Sequence, residues 1–229
     1  LVHSWCRGQT QPQAMLDDYA QMARAALILY EVTGATPYLQ QARDWVSALD
    51  RYYWDEAAAG YFFTAADASD LILRTKSAFD QATPSGNGVM VEVLARLFYQ
   101  TGKTHYRTRA EAIMTTFAGQ IERSFPSMAA LLNAWTLLNN AVQVVLVGSS
   151  SDIDYVALRD VVATTCLPNL ILTQLDTTQT LEADHPAAGK IIATKGLAQA
   201  FVCVGPVCSR PFSLPAELRQ SLERINSYA

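Results

Sequence analysis

Two segments carry residue types that could do chemistry: Asp17-Asp18-Tyr19, and Asp80-Gln81-Ala82-Thr83-Pro84-Ser85-Gly86-Asn87. Two carboxylates in unlike surroundings can divide the work of general acid and general base. Asp18 and Asp80 are the candidates for those catalytic roles. The distance between them decides whether they could act on one bond. Each carboxylate also has a structural reading. Asp18, with Gln21 three residues on, fits a capping box at a helix start. It also heads an apolar stripe through Met22, Ala25 and Leu29, so a pocket role stays open beside the cap.

Around these two lie residues suited to holding a substrate. Asp17 and Tyr19 flank Asp18. Ser85 or Asn87 could cap the helix that follows Pro84, and helix starts attract anions and hydroxyl oxygens. Lys76 could pair with Asp80 or bind a substrate oxygen. Trp54, Tyr61 and Phe62 could stack on sugar faces, or equally pack the core of a flap. Together they describe a site for a sugar-like small molecule, and no cofactor is expected.

Other motifs are weaker. Cys203 and Cys208 enclose Gly205-Pro206, which leaves a buried reduced pair or a reversible, redox-active disulfide. The spacing is neither a zinc pattern nor a thioredoxin-type Cys-x-x-Cys. His3, His105 and His185 are dispersed and resemble no metal motif, so no metal is expected. Gly148-Ser-Ser-Ser-Asp152 fits a helix cap or a phosphate-holding turn.

The elements that must position these residues follow from periodicity. Residues 17–33 are apolar around most of their girth, which predicts a helix buried on several sides. After Pro37, Leu39, Ala42, Val46, Leu49 and Tyr53 recur at three- and four-residue steps, which predicts a one-faced helix. The alternation repeats. Residues 86–101 are nearly all apolar, and 104–118 are one-faced through Tyr106, Ala110, Ile113 and Phe117. A fifth helix follows Pro126. Thr33-Gly34-x-x-x-Tyr38-x-x-x-Ala42 matches Thr101-Gly102-x-x-x-Tyr106-x-x-x-Ala110, 68 residues later. Each Gly is expected to end a helix in a left-handed cap, and each Tyr to pack back across the hairpin. Buried helices alternating with one-faced helices suit the inner and outer rings of an α/α toroid, with an irregular bundle as the plainer alternative. The crossover 54–84, about 30 residues against a usual ~2–8, would then lie at the mouth with the Asp17-Asp18 helix start. Its Gly60-Tyr61-Phe62-Phe63-Thr64 stretch suggests a short hairpin or flap.

After Asn140 the texture changes. Val142–Val147, a helix to Thr164 and Asn169–Leu175 form a parallel βαβ pattern, with a third strand near Phe201–Val204 and a last helix from Pro215 to Ile225. The fold expected is mainly α: a partial α/α toroid of antiparallel hairpins over 1–141, an incomplete ring, then a small α/β unit over 142–229 with a short, mostly parallel sheet. Half the residues are hydrophobic and 17% charged, which supports a sizeable core. A net charge of −4 without a basic cluster argues against nucleic acid. No apolar run of about 18 residues suggests a membrane span. Four dispersed cysteines point to a reducing, cytoplasmic setting.

Leu16-Asp17-Asp18-Tyr19-Ala20, Tyr61-Phe62-Phe63-Thr64, Asp80-x-Ala82-Thr83-Pro84-Ser85-Gly86-Asn87 and Cys203-x-x-x-x-Cys208 occur in that order. This combination resembles the C-terminal portion of the spermatogenesis-associated protein 20 / YyaL family. The resemblance implies an N-terminal thioredoxin-like domain, then an (α/α)6 toroid like those of N-acylglucosamine 2-epimerases and six-hairpin glycosidases, closed by a βα segment. On that footing the chain lacks the thioredoxin-like domain and the early hairpins. The missing N-terminal part of the same protein is then an expected partner, and self-association through exposed helix faces is expected of the piece alone. The histidines of an epimerase are not evident. The expected function is a carbohydrate-active enzyme, epimerase/isomerase- or glycosidase-like, using a carboxylate-lined toroid mouth, with a non-catalytic scaffold or partner-binding module for the thioredoxin-like domain as the alternative.

Overall fold

The computed structural model describes residues 1–229 except 12, 69–71, 178–180, 182–184, 194–196 and 227–229. The chain is mainly α with a small α/β unit. It opens on a two-stranded hairpin, β1 (Ser4–Cys6) and β2 (Gln9–Gln11), which periodicity had not indicated. Helices α1 (Leu16–Thr33), α2 (Thr36–Tyr52), α3 (Gly86–Thr101) and α4 (Thr104–Ser124) follow. A single 3-10 turn over Phe125–Met128 leads into α5 (Ala129–Asn140). The α/β part comprises β3 (Val142–Val147), α6 (Ile153–Thr164), β4 (Leu170–Leu175), α7 (Ala188–Ala193), β5 (Gln199–Val204), β6 (Val207–Cys208) and α8 (Pro215–Asn226).

The chain divides into two compact units. The first holds Leu1–Tyr30, Ala35–Phe98 and Lys103–Leu138; the second holds Glu31–Gly34, Tyr99–Gly102 and Asn139–Ala229.

In the first unit, the helices form where the apolar spacing demands. α2 buries Ala42, Val46 and Leu49, and α4 buries Tyr106, Ala110, Ile113 and Phe117, each leaving a polar face to water. α3 is enclosed around its girth, with Val89, Met90, Val91, Val93, Leu94, Ala95 and Leu97 all buried. Its one polar pair, Glu92 and Arg96, closes an ion pair one turn apart (2.9 Å). α1 differs from expectation. It buries Ala20, Ala23, Leu27 and Tyr30 but exposes Met22, Ala25 and Ile28, so its apolar girth is only partly covered. α1 and α3 run side by side in one direction: they meet at their starts, and Arg24 reaches Glu92 further along (3.1 Å).

The repeated Thr-Gly pairs behave alike. Gly34 and Gly102 have φ of +70° and +72°, the left-handed region that ends a helix without a Cβ penalty. The amide of Tyr38 bonds the Ala35 carbonyl and that of Tyr106 bonds the Lys103 carbonyl, the same turn at each start. The tyrosine side chains do not match. Tyr106 is buried, but Tyr38 is 38% exposed and does not pack back as expected.

In the second unit, the sheet order is β4-β3-β5-β6. β3 and β4 pair in parallel through α6, whereas β3–β5 and β5–β6 are antiparallel. The sheet is therefore mixed rather than mostly parallel. The chain returns to the β3 edge through a loop and α7, entering from the opposite end. β3 is buried on both faces, which explains its uninterrupted apolar run. Val144 and Leu146 face Tyr155 and Leu158 of α6 and Leu218 and Leu222 of α8. Val145 and Val147 face Ala187 and Phe201. The free edge of β4 is closed by helix-end side chains of the same unit. Glu31 accepts from the Leu172 amide (3.2 Å), Gln100 donates to the Leu172 carbonyl (2.8 Å), and the Thr173 hydroxyl bonds Gln100 (2.9 Å). Gln174 in turn donates to the Glu31 and Val32 carbonyls, in the last turn of α1. An edge so paired offers no template for another strand.

Candidate functional site

Every helix start leaves backbone amides without partners inside the helix. In the first unit, side chains and loop carbonyls gather to satisfy the starts of α1, α3 and α5. The Leu16 amide bonds the Phe63 carbonyl (2.9 Å), and the Met15 amide bonds Asp18 Oδ2 (2.7 Å). Asp18 is thus the third helical residue reaching back to the residue before the helix. It fills the reciprocal half of a capping box, not the cap position with Gln21 that its spacing suggested. The same Oδ2 bonds His3 Nδ1 (2.7 Å), so one of the dispersed histidines meets a candidate carboxylate. Nothing local in the sequence signals that pairing, because it joins residues fifteen apart across a hairpin.

Asp80 serves two helices. Its Oδ1 accepts from the Ser85 amide (2.9 Å) at the start of α3, and its Oδ2 accepts from the Ala130 amide (2.8 Å) at the start of α5. Ser85 Oγ accepts from the Gly88 amide (3.2 Å), a conventional N-cap, and donates to the Ala78 carbonyl (3.1 Å). Asn87 is 0% exposed. Its Oδ1 accepts from the Tyr61 amide (2.8 Å), and its Nδ2 donates to the carbonyls of Tyr61 and Ser77 (2.9 Å each). Asn87 therefore pins both limbs of the crossover to α3.

Of the crossover aromatics, Tyr61 is buried and Trp54 and Phe62 are half-buried, whereas Phe63 and Phe79 are exposed. Trp54 and Tyr61 form an isolated antiparallel bridge, and their rings meet edge to face at 5.0 Å. Where a short hairpin or flap is expected, that bridge is flanked by the Asp55 amide on the Gly60 carbonyl (2.9 Å) and the Phe62 amide on the Tyr53 carbonyl (2.8 Å). Tyr61 is fully buried, its hydroxyl on Asp50 (2.6 Å). Burial holds the Asp50 carboxyl above its ordinary value, against the Tyr61 hydrogen bond and the Arg109 charge. Arg109 also lies over the Trp54 ring at 4.1 Å. Phe62 is half-buried under Arg74, 4.1 Å from its ring. Tyr19 packs edge to face on Tyr53 (5.8 Å), whose hydroxyl bonds the Ala14 carbonyl. Burial pushes the Tyr53 hydroxyl up to about 12. Lys76 does not meet Asp80. It pairs with Asp55 (2.7 Å) and the Ala59 carbonyl, and its ammonium holds the Asp55 carboxyl below the usual range.

Asp17 sits where α1 and α3 meet, half-buried and accepting from the Gly86 amide. Burial raises its carboxyl above the ordinary value; the neighbouring Asp18 adds to this and the Gly86 amide opposes it. A carboxyl that holds its proton more tightly when folded destabilises the fold as it ionises. Its contribution is fully present below the ordinary carboxylate range and is lost as pH rises through the folded-state value. Asp17→Asn copies the protonated form and should flatten that decline in denaturation curves taken from acid to neutral pH. An unchanged slope would remove the assignment.

The approach of α1 to α3 leaves no room for a side chain. A methyl on Gly86 would overlap Asp17 Oδ1 and lie 2.6 Å from Leu16 Cγ; one on Gly88 would lie 2.9 Å from the Leu131 amide of α5. Gly86→Ala is expected to cost about 1–3 kcal/mol. Gly119→Ala on α4, with nothing within 4 Å, should be neutral or stabilising. Urea denaturation of the two variants side by side measures the difference, and equal midpoints would contradict the packing.

The starts of α1, α3 and α5 therefore converge, and Asp17, Asp18, Asp80, Ser85 and Asn87 lie at that one end. Among the described residues there is no group of three or more His, Cys, Asp or Glu placed to hold a metal. No helix among them is long and apolar enough to cross a membrane. In the second unit, Cys203 and Cys208 are joined by a disulfide, so of the two open readings the bridged pair is found. Asp152 caps α6 through the Asp154 amide (2.9 Å), the capping reading of the serine-rich turn.

No protein-family model matches the chain. It is 32% identical over 213 residues to "Spermatogenesis-associated protein 20" of Homo sapiens, covering 90% of this chain and 27% of that protein. The Rattus norvegicus protein of the same name is 30% identical over 215 residues, 91% of this chain and 27% of the relative. An uncharacterized protein of Caenorhabditis elegans is 28% identical over 225 residues, 96% of this chain and 30% of the relative. The chain thus spans between a quarter and a third of the length of the curated relatives it matches. Over nine-tenths of its own length, this chain belongs to the spermatogenesis-associated protein 20 family.

Proposed function

We propose that the shared end of α1, α3 and α5 is part of the mouth of an α/α toroid in the longer protein, and that this mouth binds a polyhydroxylated, sugar-like molecule. One observation carries the reading: two adjacent carboxylates in unlike surroundings, Asp17 and Asp18, stand where helix starts converge. Asp17, half-buried with a raised carboxyl, suits a proton donor; Asp18, tied to His3 and partly open to water, suits a base or a hydroxyl acceptor. Asp17 thereby takes the place beside Asp18 that Asp80 was expected to fill. Asp80, Ser85 and Asn87 hold the site's walls instead of reaching into it. The exposed Met22 and Ala25 on α1 fit a helix that the rest of a ring would cover. The setting proposed is reducing and cytoplasmic.

A second reading, a non-catalytic platform for another part of the same protein, has its own support. Tyr61, Lys76, Asp80, Ser85 and Asn87 all direct their polar groups to partners inside the chain. The test uses the full-length protein. A thermal-shift screen against sugars and sugar phosphates should show a shift that Asp18→Asn and Asp17→Asn abolish without changing the unliganded midpoint by more than a few degrees. No shift with any carbohydrate, together with a co-purifying protein partner, would favour the platform.

A further inference from the structure

The β5–β6 hairpin holds chemistry that neither reading uses. Cys203 and Cys208 are register partners across a turn at Gly205-Pro206, and they are bridged. We infer that this pair is a thiol–disulfide exchange site whose substrate is a dithiol.

Three observations lead there. First, the bridge closes a loop of only four intervening residues, and so short a loop constrains the unfolded chain least. Second, the backbone does not need the bridge to stay in place. Beyond β6 the Ser209 amide bonds the Val202 carbonyl (2.8 Å), the Val202 amide bonds Ser209 Oγ (3.1 Å), and Phe212 and Ala200 exchange two backbone bonds. Opening the bridge therefore leaves the two thiols facing each other, ready to close again. Third, the two sulfurs differ in access. Cys203 is 4% exposed, whereas Cys208 is exposed on the outer strand, next to the exposed Val207.

That asymmetry sets the order of events. A thiolate of the dithiol attacks Cys208 Sγ, the Cys203–Cys208 bond breaks, and the electron pair leaves on Cys203 Sγ, which takes up a proton. The second thiol of the reductant then displaces Cys208 from the mixed disulfide. The dithiol ends as a disulfide and the hairpin as two thiols, a balanced two-electron transfer. In a reducing setting the hairpin would stand as two thiols, and would close again only by passing its two electrons to another disulfide.

The test is made on the full-length protein. Dithiothreitol under native conditions, followed by alkylation and peptide mass mapping, should show both cysteines reduced together, with the circular dichroism unchanged and the bridge restored on adding glutathione disulfide. In Cys203→Ser, glutathione disulfide should modify Cys208 at least about tenfold faster than it modifies Cys203 in Cys208→Ser, as accessibility dictates. Reduction that occurs only after denaturation, reduction that unfolds the α/β unit, or equal labelling of the two single variants would overturn the inference. The wild-type measurement decides the matter even where a serine variant folds poorly.

Discussion

Asn87→Ala is expected to lose about 3–5 kcal/mol of stability, the largest effect of any single substitution at the convergent helix starts. The side chain is wholly buried and makes three hydrogen bonds, to the Tyr61 amide, the Tyr61 carbonyl and the Ser77 carbonyl. Alanine leaves the buried amide and carbonyl of Tyr61 without this partner, at roughly 1–3 kcal/mol each before relaxation, whereas the carbonyl of the exposed Ser77 can turn to water. A domain stable by about 5–15 kcal/mol would be left marginal. Asn87→Asp separates hydrogen bonding from volume. It keeps an acceptor for the Tyr61 amide but turns a second acceptor toward two carbonyls. Such a carboxyl would be bound best in its protonated form, so this variant should lose stability as pH rises through and above the carboxylate range. Chemical denaturation at acid and neutral pH measures both. A loss below about 1 kcal/mol for Asn87→Ala would mean that the crossover is held elsewhere.

Asp80→Ala is expected to cost about 2–4 kcal/mol, because it uncaps two helices at once. One oxygen holds the start of α3 and the other the start of α5. At about 2–4 °C per kcal/mol for a protein of this size, the midpoint should fall by roughly 4–16 °C. Asp80→Asn keeps one acceptor and should fall about half as far. The pair of variants also distinguishes a clasp from a catalyst. A clasp loses midpoint in step with lost acceptors, and any binding loss follows the unfolding. A residue touching substrate would lose binding in Asp80→Asn with the midpoint unmoved.

Asp80 and Asn87 show how residues noticed for one reason can work for another. Their spacing just ahead of an apolar run was evident, and so was the helix they precede. What the spacing could not convey was that Asp80 also meets Ala130, fifty residues on, or that Asn87 meets Tyr61, twenty-six residues back. Lys76 makes the same point: Asp80 is nearer in sequence, yet the turn at Asp55–Ala59 brings a different carboxylate to its ammonium. Asp17, by contrast, reads from its place beside Asp18 as a binding residue. Its burial against Gly86, not its type, makes it the more interesting carboxylate.

The sequence by itself determined the local elements. The helices over 16–52 and 86–140 follow from three- and four-residue apolar spacing, the left-handed ends at Gly34 and Gly102 from the need for a residue without Cβ, and β3 from an unbroken β-branched run. These depend on neighbours within a few residues, which a linear pattern records. Only the tertiary structure decided that α1 keeps an exposed apolar flank, that β5 enters the sheet antiparallel, and that His3 reaches Asp18. Each of these joins residues far apart along the chain. Hydrogen-bond partners and burial at that range depend on how whole elements pack, and no local spacing encodes it.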